Sequence, residues 1–222
     1  MDKNKLVLGI DEAGRGAVIG PLVVGGAVAY ESDLPKLKAL GVKDSKLLTP
    51  EKRERLYAEL KKILKDYVTI HISANDIDEM RERDNLNVIE AKKMAEIIKA
   101  MGADVAYVDA PQVSTGKFKD YLLALAKNHT EIIAENKADV KYVIVGAASI
   151  IAKVERDWEI EKIKRAVGVD FGVGYPHDEK TIKFLKSLLE KHEEFPDYVR
   201  SSWITADALK KDRNQKKLDE YD

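Results

Sequence analysis

The chain of 222 residues contains no cysteine, which excludes disulfides and thiolate metal sites. Any bound metal is then expected on oxygen ligands, a preference that favours Mg²⁺ or Mn²⁺. Long hydrophobic runs are also missing. The apolar stretches fall short of the roughly 20 residues that span a bilayer, and no basic segment with a long apolar core opens the chain. The expectation is a cytoplasmic protein without a membrane partner. Charge of one sign is missing too: 38 basic and 39 acidic residues leave a net charge of -1. No global positive field draws the molecule to nucleic acid, so any such binding must come from a local patch. A dinucleotide fingerprint is absent as well. Gly14, Gly16 and Gly20 are spaced G-x-G-x-x-x-G, one residue too wide at the second gap, and a strand-like segment rather than a helix follows them. There is no internal repeat and no low-complexity linker. The length suits one large domain, or one domain with a helical appendage, and allows a sizeable core.

What is present is concentrated at the start. Leu6-Val7-Leu8-Gly9-Ile10 is a short apolar run, and Asp11-Glu12-Ala13-Gly14-Arg15-Gly16 follows it directly. Such runs bounded by glycine read as buried strands. Carboxylates at the end of a buried strand are costly to desolvate unless something positive compensates them, and a divalent metal does so. The Gly14-Arg15-Gly16 turn offers backbone N–H groups and a guanidinium, donors suited to a phosphate or a sugar. An ordinary polar turn is the alternative for an isolated Asp-Glu pair.

Hydrophobic patterning predicts strands near residues 5–11, 21–30, 67–73, 104–109 and 130–135. Thr49 followed by Pro50 marks a helix start. Ser73-Ala74-Asn75-Asp76 fits a capping box. Asn87 is the predicted cap of the next helix, which Gly102 closes. Further helices are expected through Phe118, Leu122 and Leu125, and over about 143–166. Trp158 and Trp203 are assigned to packing, and the highly charged stretch from Asp207 onward to a solvated tail. Early strands followed by strand–helix alternation predict an α/β fold with a mixed sheet.

Two more acids stand at informative places. Asp109 ends the strand Val105-Ala106-Tyr107-Val108, and Asp139 lies between a strand and the long helix. Parallel strands bring their carboxyl ends to one edge of a sheet, where ligands usually bind. Asp11, Asp109 and Asp139 can therefore converge, with Glu12 beside them. Clustered carboxylates repel unless hard cations sit between them, and two such cations suit phosphoryl transfer. Adjacent strand residues point to opposite faces, so Asp11 and Glu12 share a site only if the strand ends or bulges there. Turn and cap roles for Asp109 and Asp139 remain the alternative.

At these residues the sequence resembles the type 2 ribonucleases H (ribonuclease HII) in their archaeal form, over nearly the whole chain. The matching blocks are Gly9-Ile10-Asp11-Glu12-Ala13-Gly14-Arg15-Gly16, Val42-Lys43-Asp44-Ser45-Lys46, Asp109, Lys137-Ala138-Asp139, Ala147-Ala148-Ser149-Ile150-Ile151-Ala152-Lys153 through Arg156-Asp157, and Gly174-Tyr175-Pro176. Departures include Ala17, where the family often has proline, and Asn136, where it often has histidine. The resemblance implies a ribonuclease H-like five-stranded mixed sheet flanked by helices, occupying residues 1–170 as the catalytic domain. It implies a helical carboxyl-terminal region over 171–222 ending in a charged tail. It further implies that Asp11, Glu12, Asp109 and Asp139 hold two Mg²⁺ or Mn²⁺ ions. The implied substrates are RNA–DNA hybrids and duplex DNA with embedded ribonucleotides, cut on the ribonucleotide's 5′ side to leave 3′-hydroxyl and 5′-phosphate ends. The family context is DNA replication and ribonucleotide removal, by a monomer.

Within that resemblance, Gly14-Arg15-Gly16 reads the 2′-hydroxyl, the group that tells ribose from deoxyribose, and Tyr175 stacks on the sugar at the junction. Lys43, Lys46 and Lys153 are candidate phosphate contacts, with solvated surface positions as the alternative. Gln215-Lys216-Lys217-Leu218-Asp219-Glu220-Tyr221-Asp222 is similar to a sliding-clamp-binding pattern, although a second aromatic is missing. There Gln215, Leu218 and Tyr221 would face a groove on the clamp, and an incidental charged tail is the alternative. Two rival readings complete the set: another ribonuclease H-like nuclease acting on DNA junctions, and a non-catalytic nucleic-acid-binding module. The Gly-Arg-Gly turn and the Tyr175 segment speak against the first, and four acids speak against the second.

Overall fold

The structure, a computed structural model, describes residues 4–42, 48–111 and 114–219, with the side chains of 216–219 excluded. Lys43, Lys46 and Tyr221, and the side chain of Leu218, lie outside the described residues. In chain order the elements are β1 (Leu6–Ala13), β2 (Leu22–Tyr30), α1 (Leu34–Ala39), α2 (Pro50–Ile63), β3 (Asp66–Ile72), α3 (Ala74–Arg81), α4 (Leu86–Met101), β4 (Val105–Asp109), α5 (Thr115–Ala126), β5 (Glu131–Glu135), α6 (Ala138–Lys141), α7 (Val143–Val167), α8 (Glu179–Lys191) and α9 (Ile204–Asp219). The five strands stand in the order β3-β2-β1-β4-β5. β1 pairs antiparallel with β2 and parallel with β4, and β5 adds parallel to β4. The expected five-stranded mixed sheet is therefore the one observed. Among the described residues no helix is long and apolar enough to cross a membrane.

Two compact units divide the chain. The first comprises Met1–Ala13, Val23–His71 and Asn85–Glu155; the second comprises Gly14–Leu22, Ile72–Asp84 and Arg156–Asp222. In the first, period-two alternation sorts strand residues onto two faces. Leu8 and Ile10 of β1 join Val108 of β4 and the apolar stripes of α4 and α5. Val7 joins Leu60 of α2, and Ile144, Ala147, Ala148 and Ile151 of α7. Glycine lets α7 come unusually close to the sheet. A Cβ on Gly9 would lie 2.2 Å from the Ile144 carbonyl oxygen, and one on Gly25 would lie 2.8 Å from that of Ala148. The second unit has its own core. Val18 and Ile19 pack with Ile160, Phe171, Leu185 and Val199, and the Phe171 and Phe184 rings stack with centroids 5.2 Å apart.

Capping follows local chemistry. The Thr49 side chain accepts the Lys52 amide, and Ser73 with Asp76 forms the complete capping box. Two expectations need correction. The cap of α4 is Asn85, whose side chain accepts the Val88 amide at 3.2 Å, because the helix begins at Leu86 and not beyond Asn87. The charged stretch from Asp207 is helix rather than tail, since Ala206 and Leu209 give α9 an apolar edge within the second unit's core. Of the two tryptophans assigned to core or inter-helix packing, Trp203 packs against the second unit's core, and Trp158, 37% exposed, lies outside the core.

Candidate active site

The carboxylates gather in the first unit by register. Ile10 pairs with Val108 across the parallel β1–β4 ladder, so Asp11 and Asp109 follow on neighbouring strands. Alternation puts both on the face covered by α7, along with Val7 and Tyr107. The backbone N–H of Ala138 donates to Oδ1 of Asp109 at 2.8 Å, which ties the first turn of α6, and hence Asp139, to the end of β4. Lys137 makes the sharp entry to α6 with φ of 57°. Asn136 supports the same corner by donating from Nδ2 to the carbonyls of Ala110 and Pro111.

Glu12 differs from the other three. β1 runs on to Ala13 in unbroken register, with Asp11 opposite Gly25 and Glu12 opposite Val24. The expected strand end or bulge is absent, so Glu12 leaves the sheet on the side opposite Asp11. The Glu12 amide donates to Oδ1 of Asp11 at 2.8 Å.

Asp11 and Asp139 are 4% and 6% exposed. Burial pushes the Asp11 carboxyl above its ordinary pKa, against the lowering effects of Lys153, a Ser149 hydrogen bond and the Glu12 amide, and the Asp139 charge adds to the rise. Lys153 Nζ stands 4.0 Å from Asp11 Oδ2 and donates to Ser149 Oγ. Both come from α7, one turn apart, on the helix that Gly9 and Gly25 admit to the sheet. Compensation of Asp11 is therefore incomplete, and the donors are all oxygen, which fits a hard divalent cation. As the side chains stand, no group of three Asp, Glu or His among the described residues is drawn together tightly enough to hold an ion.

The second unit carries the turn and the tyrosine. Gly14 has φ of +85°, and the Ala17 amide donates back to the Gly14 carbonyl at 3.2 Å, so Arg15 and Gly16 are the central residues of a tight turn. Val18 and Ile19 both donate to the Gly174 carbonyl, at 2.8 and 3.1 Å, and so tie the turn to the Tyr175 segment. Buried Thr181 accepts the Gly174 amide and donates to the Phe171 carbonyl. The Tyr175 ring is half-buried, with the Arg156 guanidinium 4.7 Å from its centroid and the His177 ring 5.5 Å away. The contacts of Gly16 are open: a Cβ there would meet only the Tyr175 ring, at 3.9 Å.

Two buried arginines flank this assembly, and sequence reasoning assigned a role to neither. Arg156 donates to the Val173 carbonyl. Arg200, with none of its surface exposed, donates from Nε to the Gly20 carbonyl at 3.1 Å and from Nη1 to the Arg15 carbonyl at 3.0 Å. Apart from a 3.4 Å contact of Arg156 with the adjacent Asp157 carboxylate, their partners are main-chain oxygens far away in sequence, which no spacing pattern announces. Arg156 does stand in one of the blocks shared with the type 2 ribonucleases H. Lys153, read from sequence as a phosphate contact, lies beside the Asp11 carboxylate. Gln215 belongs to α9.

Comparison with known proteins bears on the family and the fold. The family model described as Ribonuclease HII matches residues 8–206. A ribonuclease HII from Thermococcus onnurineus is 44% identical over 223 residues, covering 96% of this chain and 97% of its own. The crystal structure of the ribonuclease H2 from Pyrococcus horikoshii OT3 superposes with a TM-score of 0.89 at 43% identity, covering 95% of this chain and 99% of that one. The ribonuclease HII in a PCNA complex from Archaeoglobus fulgidus gives 0.83 at 42% identity, covering 89% and 95%.

Proposed function

The chain belongs to the ribonuclease HII family, and on that premise we propose that this endoribonuclease cuts the RNA strand of RNA–DNA hybrids and the 5′ side of ribonucleotides embedded in duplex DNA. The products carry 3′-hydroxyl and 5′-phosphate ends, and the task is ribonucleotide removal during DNA replication and repair. The observation that carries the reading is the register bringing Asp11 and Asp109 to neighbouring strand ends, with Asp139 tied to Asp109 through the Ala138 amide.

Asp11, Asp109 and Asp139 are the residues that would hold Mg²⁺ or Mn²⁺ ions from one face of the sheet; Glu12 starts from the opposite face, one residue before β1 ends at Ala13, and would join a two-ion site by reaching round that strand end. When bound, such ions polarise a phosphodiester and stabilise the charge that develops on its attacking and leaving oxygens. The protein's own part is to hold the donors. Ser149 orients Asp11 by hydrogen bond, and Lys153 supplies positive charge beside it. Asn136 and the Ala138 amide hold the β4–α6 corner.

Recognition falls to Gly14-Arg15-Gly16 and Tyr175. The tight turn leaves Gly16 without a side chain where a ribose would approach, so a backbone N–H can reach a 2′-hydroxyl. The Tyr175 ring, backed by the Arg156 guanidinium, offers a flat face to the next sugar. Lys43 and Lys46 complete the phosphate contacts in this reading. Gln215, Leu218 and Tyr221 form a sliding-clamp tail, a partner suggested by the relative solved with PCNA.

The test is cleavage of a duplex carrying one ribonucleotide, with the cut mapped. A single metal-dependent cut on its 5′ side is expected, and an equally cut all-DNA duplex would overturn the reading.

A further inference from the structure

We propose that Arg200 is a positioning residue that aims the Gly16 N–H, and through it sets the preference for ribose; this rests on the reading of Gly14-Arg15-Gly16 as the 2′-hydroxyl contact. A guanidinium is expensive to bury without an anion, yet Arg200 is fully buried, and among the described residues no carboxylate pairs with it within 4.0 Å. Burial and the neighbouring Arg156 cation both push its pKa down. Nη2 has no hydrogen-bond partner among the described residues. An aliphatic side chain of similar volume would avoid burying the charge but would leave the Arg15 and Gly20 carbonyls without this donor, so the value of Arg200 lies in what its other two nitrogens hold.

They hold the two ends of the turn segment. Nη1 donates to the Arg15 carbonyl at 3.0 Å, and Nε donates to the Gly20 carbonyl at 3.1 Å. The Arg15–Gly16 peptide is planar and trans, like every peptide bond in the described chain. In a trans peptide the C=O and N–H point in opposite directions. With the Arg15 carbonyl held by Arg200, the Gly16 N–H must point away from it. That N–H has no partner among the described residues, whereas the amides of Ala17, Val18, Ile19 and Gly20 all do.

Arg200 is itself firmly seated. Its amide donates to the Val18 carbonyl at 2.9 Å, and Gly20 donates to the Tyr198 carbonyl, so residues 198–200 run beside 18–20. The guanidinium lies 4.7 Å from the Trp203 ring centroid, and Arg81 lies at the same distance from that ring. Asp78 accepts the amides of both Ser201 and Ser202. A rigid donor is what a fixed peptide plane requires.

The experiment measures equilibrium binding in an Asp11→Asn background, so that substrate survives, and compares a duplex carrying one ribonucleotide with the all-DNA duplex of the same sequence. Arg200→Met is expected to reduce the ratio of the two affinities by about tenfold, the scale of one hydrogen bond to a polar group. Arg200→Lys, which keeps the charge but cannot bridge two carbonyls as a planar fork, is expected to reduce it by about threefold. Weaker packing alone would lower the melting temperature and both affinities together, leaving the ratio unchanged. An unchanged ratio in Arg200→Met, or in Arg200→Lys should only that variant fold, overturns the proposal. Gly16→Ala separates the two ideas. If it collapses the ratio while folded Arg200 variants keep it, the positioning role fails alone; if it leaves the ratio intact, the reading of the turn fails first.

Discussion

The backbone N–H of Ala138 donates to Oδ1 of Asp109 at 2.8 Å, joining the end of β4 to the first turn of α6. One oxygen of Asp109 is thus engaged in architecture, and through this bond the carboxylate sets where Asp139 stands. A shared role predicts that structure and activity can be separated. Asn keeps a carbonyl oxygen for the Ala138 amide but loses the charge. Asp109→Asn should melt close to the wild-type temperature while losing about a thousandfold in kcat, since several kcal/mol of transition-state stabilisation corresponds to about that factor. Asp109→Ala strands the buried Ala138 amide and should also lose about 1–3 kcal/mol of stability. Denaturant melts paired with single-turnover rates check both.

Asp11 carries the opposite balance. Burial, with Asp139 adding, holds its carboxyl above the ordinary range. A raised carboxyl pKa means that the folded state binds the proton more tightly than the unfolded chain. The metal-free protein therefore loses stability as pH rises from the unfolded value near 4 through the folded one, and stays at that lower level above it. Asp11→Asn removes the buried charge. At neutral pH without divalent metal it should raise the melting temperature by about 2–4 °C, the shift for about 1 kcal/mol at this size, while abolishing hydrolysis. Adding Mg²⁺ or Mn²⁺ should stabilise the wild type and leave the variant nearly unchanged. A lower melting point for the metal-free variant would show that Lys153 and Ser149 already compensate the carboxylate fully.

Tyr175 predicts a simple series. Its ring lies against the Arg156 guanidinium, and its hydroxyl enters none of the described contacts that hold the turn. Tyr175→Phe should keep kcat/KM for a ribonucleotide-containing duplex within about threefold, because the stacking face survives. Tyr175→Ala should lower it by about tenfold or more, as expected for a contact of about 1–3 kcal/mol. Equal losses in both variants would point to the hydroxyl instead of the ring.

Much of this was legible from residues alone, for identifiable reasons. The strands were readable because burial in a sheet imposes alternation and apolar runs, and four acids stood at or beside strand ends. Long helices were readable where a cap and a closing glycine bracketed a stripe, as at Thr49-Pro50 and Gly102. Asn85 and Asn87 both suit a cap by type, and only the register of the first turn selects Asn85. The last helix was hidden by composition, since Ala206 and Leu209 are few among many charges. Arg200 and Arg156 were invisible as functional residues for a deeper reason. Hydrogen bonds to main-chain oxygens are indifferent to the identity of the residue that offers them, so no motif records a bond from Arg200 to Arg15. The relation of Asp11 to Glu12 also needed the structure, because whether a strand continues past its acids depends on what β2 offers opposite.

Gly14 and Gly16 look equivalent in the sequence, but the fold makes them different, and the difference isolates recognition from stability. Gly14 sits at φ of +85°, and a Cβ there would lie 2.5 Å from the Pro21 carbonyl oxygen. Gly14→Ala should cost at least about 2 kcal/mol from the left-handed backbone and the clash together, seen as a drop of about 4–8 °C in melting temperature. At Gly16 the same methyl would meet nothing closer than the Tyr175 ring at 3.9 Å. Gly16→Ala should therefore stay within about 0.5 kcal/mol of wild type. In the proposed reading of the turn, the methyl would nonetheless occupy the space through which a sugar approaches the Gly16 N–H. The expected result is a stable protein, with Asp11 chemistry untouched, that cleaves a duplex carrying one ribonucleotide at least about tenfold less efficiently, a loss on the scale of one hydrogen bond appearing in KM more than in kcat. Unimpaired cleavage by that folded variant would remove ribose sensing from this turn.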